Sequence, residues 1–152
     1  MLEKFFLYFL LKLPEELSHN IAIFLLKYKL VPKKNKFNKK LLETKLFGFK
    51  LSNPIGLAAG FDKNGEALPG LLQQNFSFIE IGTVTPLAQY GNKKPRVFRI
   101  YGNYSIINKL GFPNIGAVKV YKNIAKVRKF HPLGQEPLIG VNIGYNKETK
   151  SP

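Results

Sequence analysis

Three apolar runs in this chain each stop abruptly in small or amide-bearing residues, and this repeat constrains the fold more than any other feature. NPIGLAAGFDKNGE (53–66) carries Ile55 to Ala59 directly into Gly60, Asp62, Lys63 and Asn64. FSFIEIGTVTP (76–86) ends in Gly82, Thr83 and Thr85, and PLIGVNIG (137–144), read as a third buried strand, ends in Asn142 and Gly144. Between the first two lies a helix-permissive stretch, Gly65 to Gln74, despite its Pro69 and Gly70. Before the third, residues 114–130 space Ile115, Val118, Ile124 and Val127 as the inward face of a helix. Strand, helix, strand, excursion, helix, strand is the β/α alternation of an α/β fold. A TIM barrel and a doubly wound sheet both place their sites at the C-terminal ends of the strands, so the alternation fits either. Neither GxGxxG nor GxxxxGK[ST] follows the first strand, which weighs against dinucleotide and P-loop chemistry. A strand that stops in Ala-Ala-Gly also leaves a floor with nothing larger than a methyl above it, on which a planar ligand could lie.

The excursion begins with the turn-rich QYGNKKP and continues into RVFRIYGNYSII (96–107), two β-type runs around Gly102-Asn103, a hairpin signal. Asn108 to Phe112 is read as a loop. Upstream, KLFGFKLS (45–52) alternates around Gly48 as a small hairpin.

The N-terminal region is of another kind. MLEKFFLYFLLKL places Leu2, Phe5, Phe6, Phe9, Leu10 and Leu13 at helical spacing. Pro14 followed by Glu15 and Glu16 signals a second helix start, with a stripe at Leu17, Ile21, Phe24, Leu25 and Tyr28. A signal peptide is a poor reading, because Glu3 and Lys12 interrupt the pattern and no small-x-small site follows. A membrane span needs ~20 apolar residues, more than either helix has. A helical hairpin lying in a membrane surface or covering an apolar slot fits, as does an ordinary pair packed on the core. KLVPKKNKFNKK (29–40) follows, with six lysines in twelve residues, suited to an anionic leaflet or to plain solvation.

The net charge of +15 calls for an anionic partner of some kind. Of the 24 cationic residues only Arg96, Arg99 and Arg128 are arginine, and base readout and bidentate phosphate clamping favour arginine, so no sequence-specific nucleic-acid partner is expected. Zero cysteines exclude disulfides, thiolate metal sites and cysteine nucleophiles, and no metal site is expected.

Taken in order, NPIGLAAGFDKNGE, FIEIGTVTP, GNKKPRVFRI, INKLGFPNIG and GVNIGYNK resemble the membrane-associated, quinone-dependent (class 2) dihydroorotate dehydrogenases, over roughly residues 14–150. The resemblance implies an α/β fold: an N-terminal helical pair (1–40, with the Lys-rich linker) leading into the first part, about three β/α units, of an FMN-binding TIM (β/α)8 barrel (41–152). It implies that Ala59, Gly60, Phe61, Asp62, Lys63, Thr83 and Asn142 contact the FMN. Lys63 together with Asn108, Lys109, Leu110, Gly111 and Phe112 would contact the dihydroorotate, and His19 and Arg99 would line the quinone tunnel. The implied reaction oxidises dihydroorotate to orotate through FMN and passes electrons to a membrane quinone, as a step of pyrimidine (UMP) synthesis. The implied location is the cytoplasmic face of the cell (inner) membrane, held peripherally against its anionic surface.

A full barrel takes ~250 residues, and roughly 100 follow the first hairpin here. The family's catalytic serine, expected after a fourth strand, has no counterpart, since Ser151 in KETKSP comes too early, and the phosphate grip of the last strands is also missing. No catalytic residue is therefore assigned within this chain, which alone is expected to be inactive. Two other readings stand beside this one: a non-enzymatic basic module associated with membrane or RNA, and a soluble flavin barrel acting on pyrimidines.

Overall fold

The computed structural model describes residues 2–34, 40–103 and 105–149. Residues 35–39, the middle of the lysine cluster, and 150–152, which include Ser151, lie outside the described residues.

Helix α1 (Leu2–Lys12) and helix α2 (Glu15–Lys27) are separated at Pro14, whose extended backbone (φ −51°, ψ 143°) ends one helix and precedes the other. The Ser18 hydroxyl donates to the Leu10 carbonyl and ties the first turn of α2 back onto α1. Ile23 and Leu26 form the buried face of α2. The stripe read from the sequence points elsewhere: Leu17, Phe24 and Tyr28 are exposed, as are Phe6, Leu7, Tyr8, Phe9 and Leu11 of α1.

Strands β1 (Thr44–Leu46) and β2 (Phe49–Leu51) form the expected small hairpin, Thr44 opposite Leu51 and Leu46 opposite Phe49. Its two turn residues, Phe47 and Gly48, both take positive φ (+49° and +81°), as a tight two-residue hairpin requires. Strand β3 is short, Gly56–Leu57, and a side chain at Gly56 would sit 2.0 Å from the Phe78 ring. The helix expected over 65–74 contracts to the single turn α3 (Leu68–Leu71). At its start Gly65 takes φ +67°, outside the helical region, and the Asp62 carboxylate accepts the Glu66 and Ala67 N–H groups. At its end the Gln73 and Gln74 N–H groups bond three residues back, to Gly70 and Leu71, as a tightened last turn does.

Strand β4 (Phe78–Val84) is the centre of a parallel sheet of order β3-β4-β7. Strands β5 (Val97–Ile100) and β6 (Ser105–Asn108) form the second hairpin, Val97 opposite Asn108, closed by a 3-10 turn beginning at Tyr101. Helix α4 (Ala117–Arg128) returns the chain to β7 (Leu138–Ile143), which pairs with β4, Phe78 opposite Leu138. Two expectations change here. Val118 is 68% exposed and Val120 only 2%, because Ile115 precedes the helix and sets no phase; Val120, Ile124 and Val127 carry the inward face. Strand β7 is not buried, with Ile143 80% exposed, because it lies at the edge of the sheet.

The core lies where one face of β4, Ile79 and Ile81, meets Leu26 of α2, Leu68 and Leu71 of α3, and Val120 and Val127 of α4. Its close approach is fixed at Gly70, where an added Cβ would stand 2.2 Å from the Leu26 carbonyl oxygen. His131, also buried, donates from Nε2 to the Pro137 carbonyl (2.8 Å) and holds the α4-to-β7 connection.

Candidate functional site

A cavity of about 600 Å³ opens between α2, the loop after β3, and the β5–β6 hairpin with the segment that follows it. Its floor is made by the chain leaving β3. Gly60 takes φ +103°, a conformation a side chain disfavours, and no atom lies within 4 Å of the position its Cβ would occupy. Its N–H donates to the Gly82 carbonyl (2.8 Å), while the Gly82 N–H donates to the Asp62 carbonyl (3.1 Å). These two bonds tie the ends of β3 and β4 together and leave the surface above Gly60 bare.

Asp62 is fully buried and both its carboxylate oxygens are used on backbone, accepting from Glu66 (3.0 Å) and Ala67 (2.8 Å). Burial raises its pKa, opposed by the N–H groups of Ala67, Glu66 and Asn64. Its role is to fix the turn that presents the next residue. Lys63 then extends toward α2, where its Nζ lies 3.4 Å from His19 Nε2. An ammonium can only donate, so His19 accepts through Nε2 and carries its proton on Nδ1. Burial, then the Lys63 charge, depress the His19 pKa to about 4 against the opposing pull of Glu16, so the ring is neutral at neutral pH. Its edge meets the Phe61 ring at 83°, centroids 5.3 Å apart. Lys63 is itself lowered, first by burial and then by Arg96, with Glu16 and Asp62 opposing.

The wall opposite the floor is latched by two arginines of one hairpin. Arg96 Nε donates to Glu16 Oε1 (2.8 Å), and Lys94 reaches the other oxygen (3.1 Å). Burial works to raise the Glu16 pKa, but the bonds from Arg96 and Lys94 hold it below the ordinary carboxylate value. Arg96 also donates to the Tyr90 and Asn92 carbonyls. Arg99 donates to the Leu11 (2.8 Å) and Leu13 (2.6 Å) carbonyls at the C-terminal end of α1, while its own N–H reaches Glu15 (3.3 Å). Backbone hydrogen bonds, first its own and then that from Arg99, lower the Glu15 pKa.

The structure brings His19, Gly60, Phe61, Asp62, Lys63, Arg99, Asn108 and Leu110 around this one cavity. Ala59, half-buried, stands just outside it. Lys109, Gly111 and Phe112 are not among the lining residues: Lys109 turns its ammonium toward Phe98 (5.9 Å from the ring centroid), and Gly111 and Phe112 both take positive φ. Thr83 and Asn142 form a separate group at the ends of β4 and β7, where the Thr83 hydroxyl donates to Asn142 Oδ1 (2.7 Å) and Asn142 Nδ2 donates to Glu80 (3.1 Å).

Sequence reasoning missed the residues that hold this frame. Asn114 is buried and fully bonded: its Oδ1 accepts from the Thr85 and Gly116 N–H groups, and its Nδ2 donates to Thr85 Oγ1 and the Phe112 carbonyl. Asn64 Oδ1 accepts from the Ile115 N–H (3.1 Å). The available signal was Asn two residues before the glycine that opens α4, an Asx-turn pattern. Glu16 carried only the mark of a helix N-terminus, and Arg96 carried none. Chemically, the site offers a bare floor for a planar group, a cation and a neutral imidazole at its edge, and an apolar helix pair as its outer wall.

The chain matches the family model described as dihydroorotate dehydrogenase over residues 41–151. It is 45% identical over 145 residues to the mitochondrial dihydroorotate dehydrogenase (quinone) of Eremothecium gossypii, covering 86% of this chain and 32% of that protein. It is 47% identical over 143 residues to the dihydroorotate dehydrogenase (quinone) of Mannheimia succiniciproducens, covering 90% of this chain and 40% of that one. Among solved structures it superposes on the DHODH of Eimeria tenella in complex with ferulenol with a TM-score of 0.83, at 38% identity, over 92% of this chain and 38% of that one. The chain thus spans about a third of the length of the curated relatives it matches.

Proposed function

The chain belongs to the dihydroorotate dehydrogenase family, and from that premise we propose that it supplies one side of a site that oxidises dihydroorotate to orotate through FMN and passes the electrons to a membrane quinone, a step of pyrimidine (UMP) synthesis. The observation that carries the reading is that the open Gly60 floor and the helix pair share one cavity, joined across it by Lys63 and His19. Redox chemistry at a flavin and delivery to an apolar acceptor both need such a junction.

The floor fits FMN: above Gly60 there is open space where any side chain would intrude, so an isoalloxazine can approach the backbone. FMN, when bound, supplies a two-electron acceptor for hydride leaving the substrate. Ala59, Gly60 and Phe61 would support its ring, and Lys63 would place a positive charge against it, favouring the reduced, electron-rich form. Thr83 and Asn142, which already hold one another, would offer a polar edge to the same ring. Asn108, at the end of β6, and the loop through Phe112 would enclose the substrate. Amide side chains match a pyrimidine dione, whose edge alternates donors and acceptors. His19 and Arg99 would line the way in for the quinone, with Arg99 also closing the end of α1.

The exposed apolar faces of α1 and α2 fit a helical pair lying on a bilayer, and among the described residues no helix is long and apolar enough to cross one. On this proposal the protein would be held peripherally, at the cytoplasmic face of the inner membrane. On this reading no residue of this chain takes the role of the proton-abstracting serine, so the chain alone should not turn over. Full-length protein should emerge from gel filtration carrying visible flavin absorbance, lose it on Gly60→Leu, and produce orotate with quinone as acceptor. Retained flavin with turnover on a soluble acceptor only would overturn the quinone assignment, and turnover by the 152-residue chain alone would overturn the division of the site.

A further inference from the structure

From residue 81 to residue 135 the sequence contains no aspartate or glutamate, while ten lysines and arginines fall in the same interval. Helix α4 occupies much of it, and its outer face exposes Lys119, Lys122 and Lys126, with Lys129 just beyond its end. The arginines of the interval are turned inward. Arg96 and Arg99 latch the helix pair, and Arg128 donates to the His131 and Pro132 carbonyls. The charge left for a partner is therefore lysine.

The C-terminal end of α4 is also where α2 ends. Lys29 Nζ lies 5.5 Å from the centroid of the Phe130 ring, a cation over an exposed aromatic face. Lys29 directly follows Tyr28, which pairs with Phe24 on α2, the ring centroids 4.8 Å apart and both rings exposed. The neighbouring ends of the two helices thus form one corner that carries three exposed rings together with Lys29, Lys126 and Lys129, and the α2 rings belong to its exposed apolar face. Aromatic rings with a polar rim settle at the headgroup level of a bilayer, and lysines beside them meet anionic headgroups as point charges.

We propose that this α2–α4 corner is a second membrane contact, specific for anionic lipid, that fixes the rotation of the protein on the bilayer. The proposal rests on the reading that α1 and α2 lie on the membrane and adds the partner of a surface outside that pair. Nucleic acid is the poorer fit, because the corner holds no outward arginine and its rings flank an apolar helix face.

The test uses the full chain and vesicles of phosphatidylcholine with and without phosphatidylglycerol, read by co-sedimentation over a salt series. Wild type should bind the anionic vesicles more tightly, and Lys126→Gln/Lys129→Gln should weaken that binding by about 25-fold at low salt, about fivefold for each lysine removed near the surface. Lys119→Gln/Lys122→Gln, the same charge loss at the far end of α4, should change it by less than about fivefold. Phe130→Ser should weaken binding without altering the salt dependence. Equal losses in the two double variants would overturn the corner in favour of diffuse attraction. Unchanged binding in Lys126→Gln/Lys129→Gln, with loss on Phe6→Ser/Phe9→Ser, would overturn the corner and leave the docking of the helix pair standing. Wild-type binding to neither vesicle would overturn both, and RNA binding with no vesicle binding would replace the lipid with a nucleic acid.

Discussion

His19 should make the stability of this protein fall between neutral and mildly acid pH, and replacing it should remove that fall. The ring sits against Phe61 with Lys63 at its Nε2, and its pKa is lowered from 6.5 to about 4 by burial and then by Lys63. Above 6.5 the imidazole is neutral in folded and unfolded chains alike, so it contributes no pH dependence. Between 6.5 and about 4 the unfolded chain takes up a proton that the folded chain refuses, and the free energy of unfolding declines as the pH falls. Below about 4 both forms are protonated and the decline ends. The full difference corresponds to roughly 3 kcal/mol, and solvent access to the half-buried ring reduces the expected effect to about 1–2 kcal/mol. Denaturant unfolding of wild type and His19→Gln across this window measures it, since Asp62, Glu15 and other titrating groups are common to both. Nitrogen chemical shifts of the imidazole should show the proton on Nδ1, and Lys63→Met should raise the midpoint of titration. A wild-type-minus-variant difference that stays flat from neutral pH down to about 4 would refute the reasoning, as would a ring protonated at neutral pH.

Three further outcomes follow from the same structure. Glu16→Gln should cost about 1.5–3 kcal/mol by stripping the charge that Arg96 and Lys94 both use; because the Glu16 pKa is depressed, the difference from wild type should be full above 4.5 and shrink as the pH falls further. Gly60→Ala should cost only about 1–2 kcal/mol, for the positive φ alone, whereas Gly70→Ala should cost about 3 kcal/mol or more because its methyl would meet the Leu26 carbonyl. Thermal unfolding of the two separates them. Val120→Asp should lose about 4 kcal/mol or more while Val118→Asp stays within about 0.5 kcal/mol, and equal effects would mean that the helix is rotated from the phase described.

The order of strands was legible because each ends in a recognisable break, and both hairpins were legible because a glycine marks each turn, although only Gly48 takes the positive φ that calls for one. What misled was the phase and length of helices. Ile115 shares an apparent period with Val118, yet the helix starts at Ala117, after Asn114 has drawn the Gly116 N–H to its side chain. The stretch after Lys63 has a helical composition, but Asp62 spends its carboxylate on two N–H groups and Gly65 takes a left-handed conformation, which leaves one turn. In α2 the apolar stripe and the buried face differ because the helix is apolar on more than one side, Leu17 and Phe24 being exposed while Ile23 and Leu26 pack inward. A periodicity reports that a face exists and is silent on what covers it.

The same distinction explains why the helix pair is fastened by charge at one end. At the other end α2 packs through Leu26 on Gly70, an apolar contact of ordinary kind. Beside the cavity, however, Glu16 is held by Arg96 and Lys94, and Arg99 grips the carbonyls that end α1. These partners are about 80 or more residues apart, and neither half announces the other in sequence. An apolar seal there would have filled the space between floor and helices, whereas ion pairs at the rim fix the helices and leave the interior open. His19 and Lys63 then meet across that opening without closing it. The outward Phe and Leu side chains of α1 and α2 stay exposed because the attachment does not consume them, so the helical pair presents an apolar face on one side and the cavity on the other.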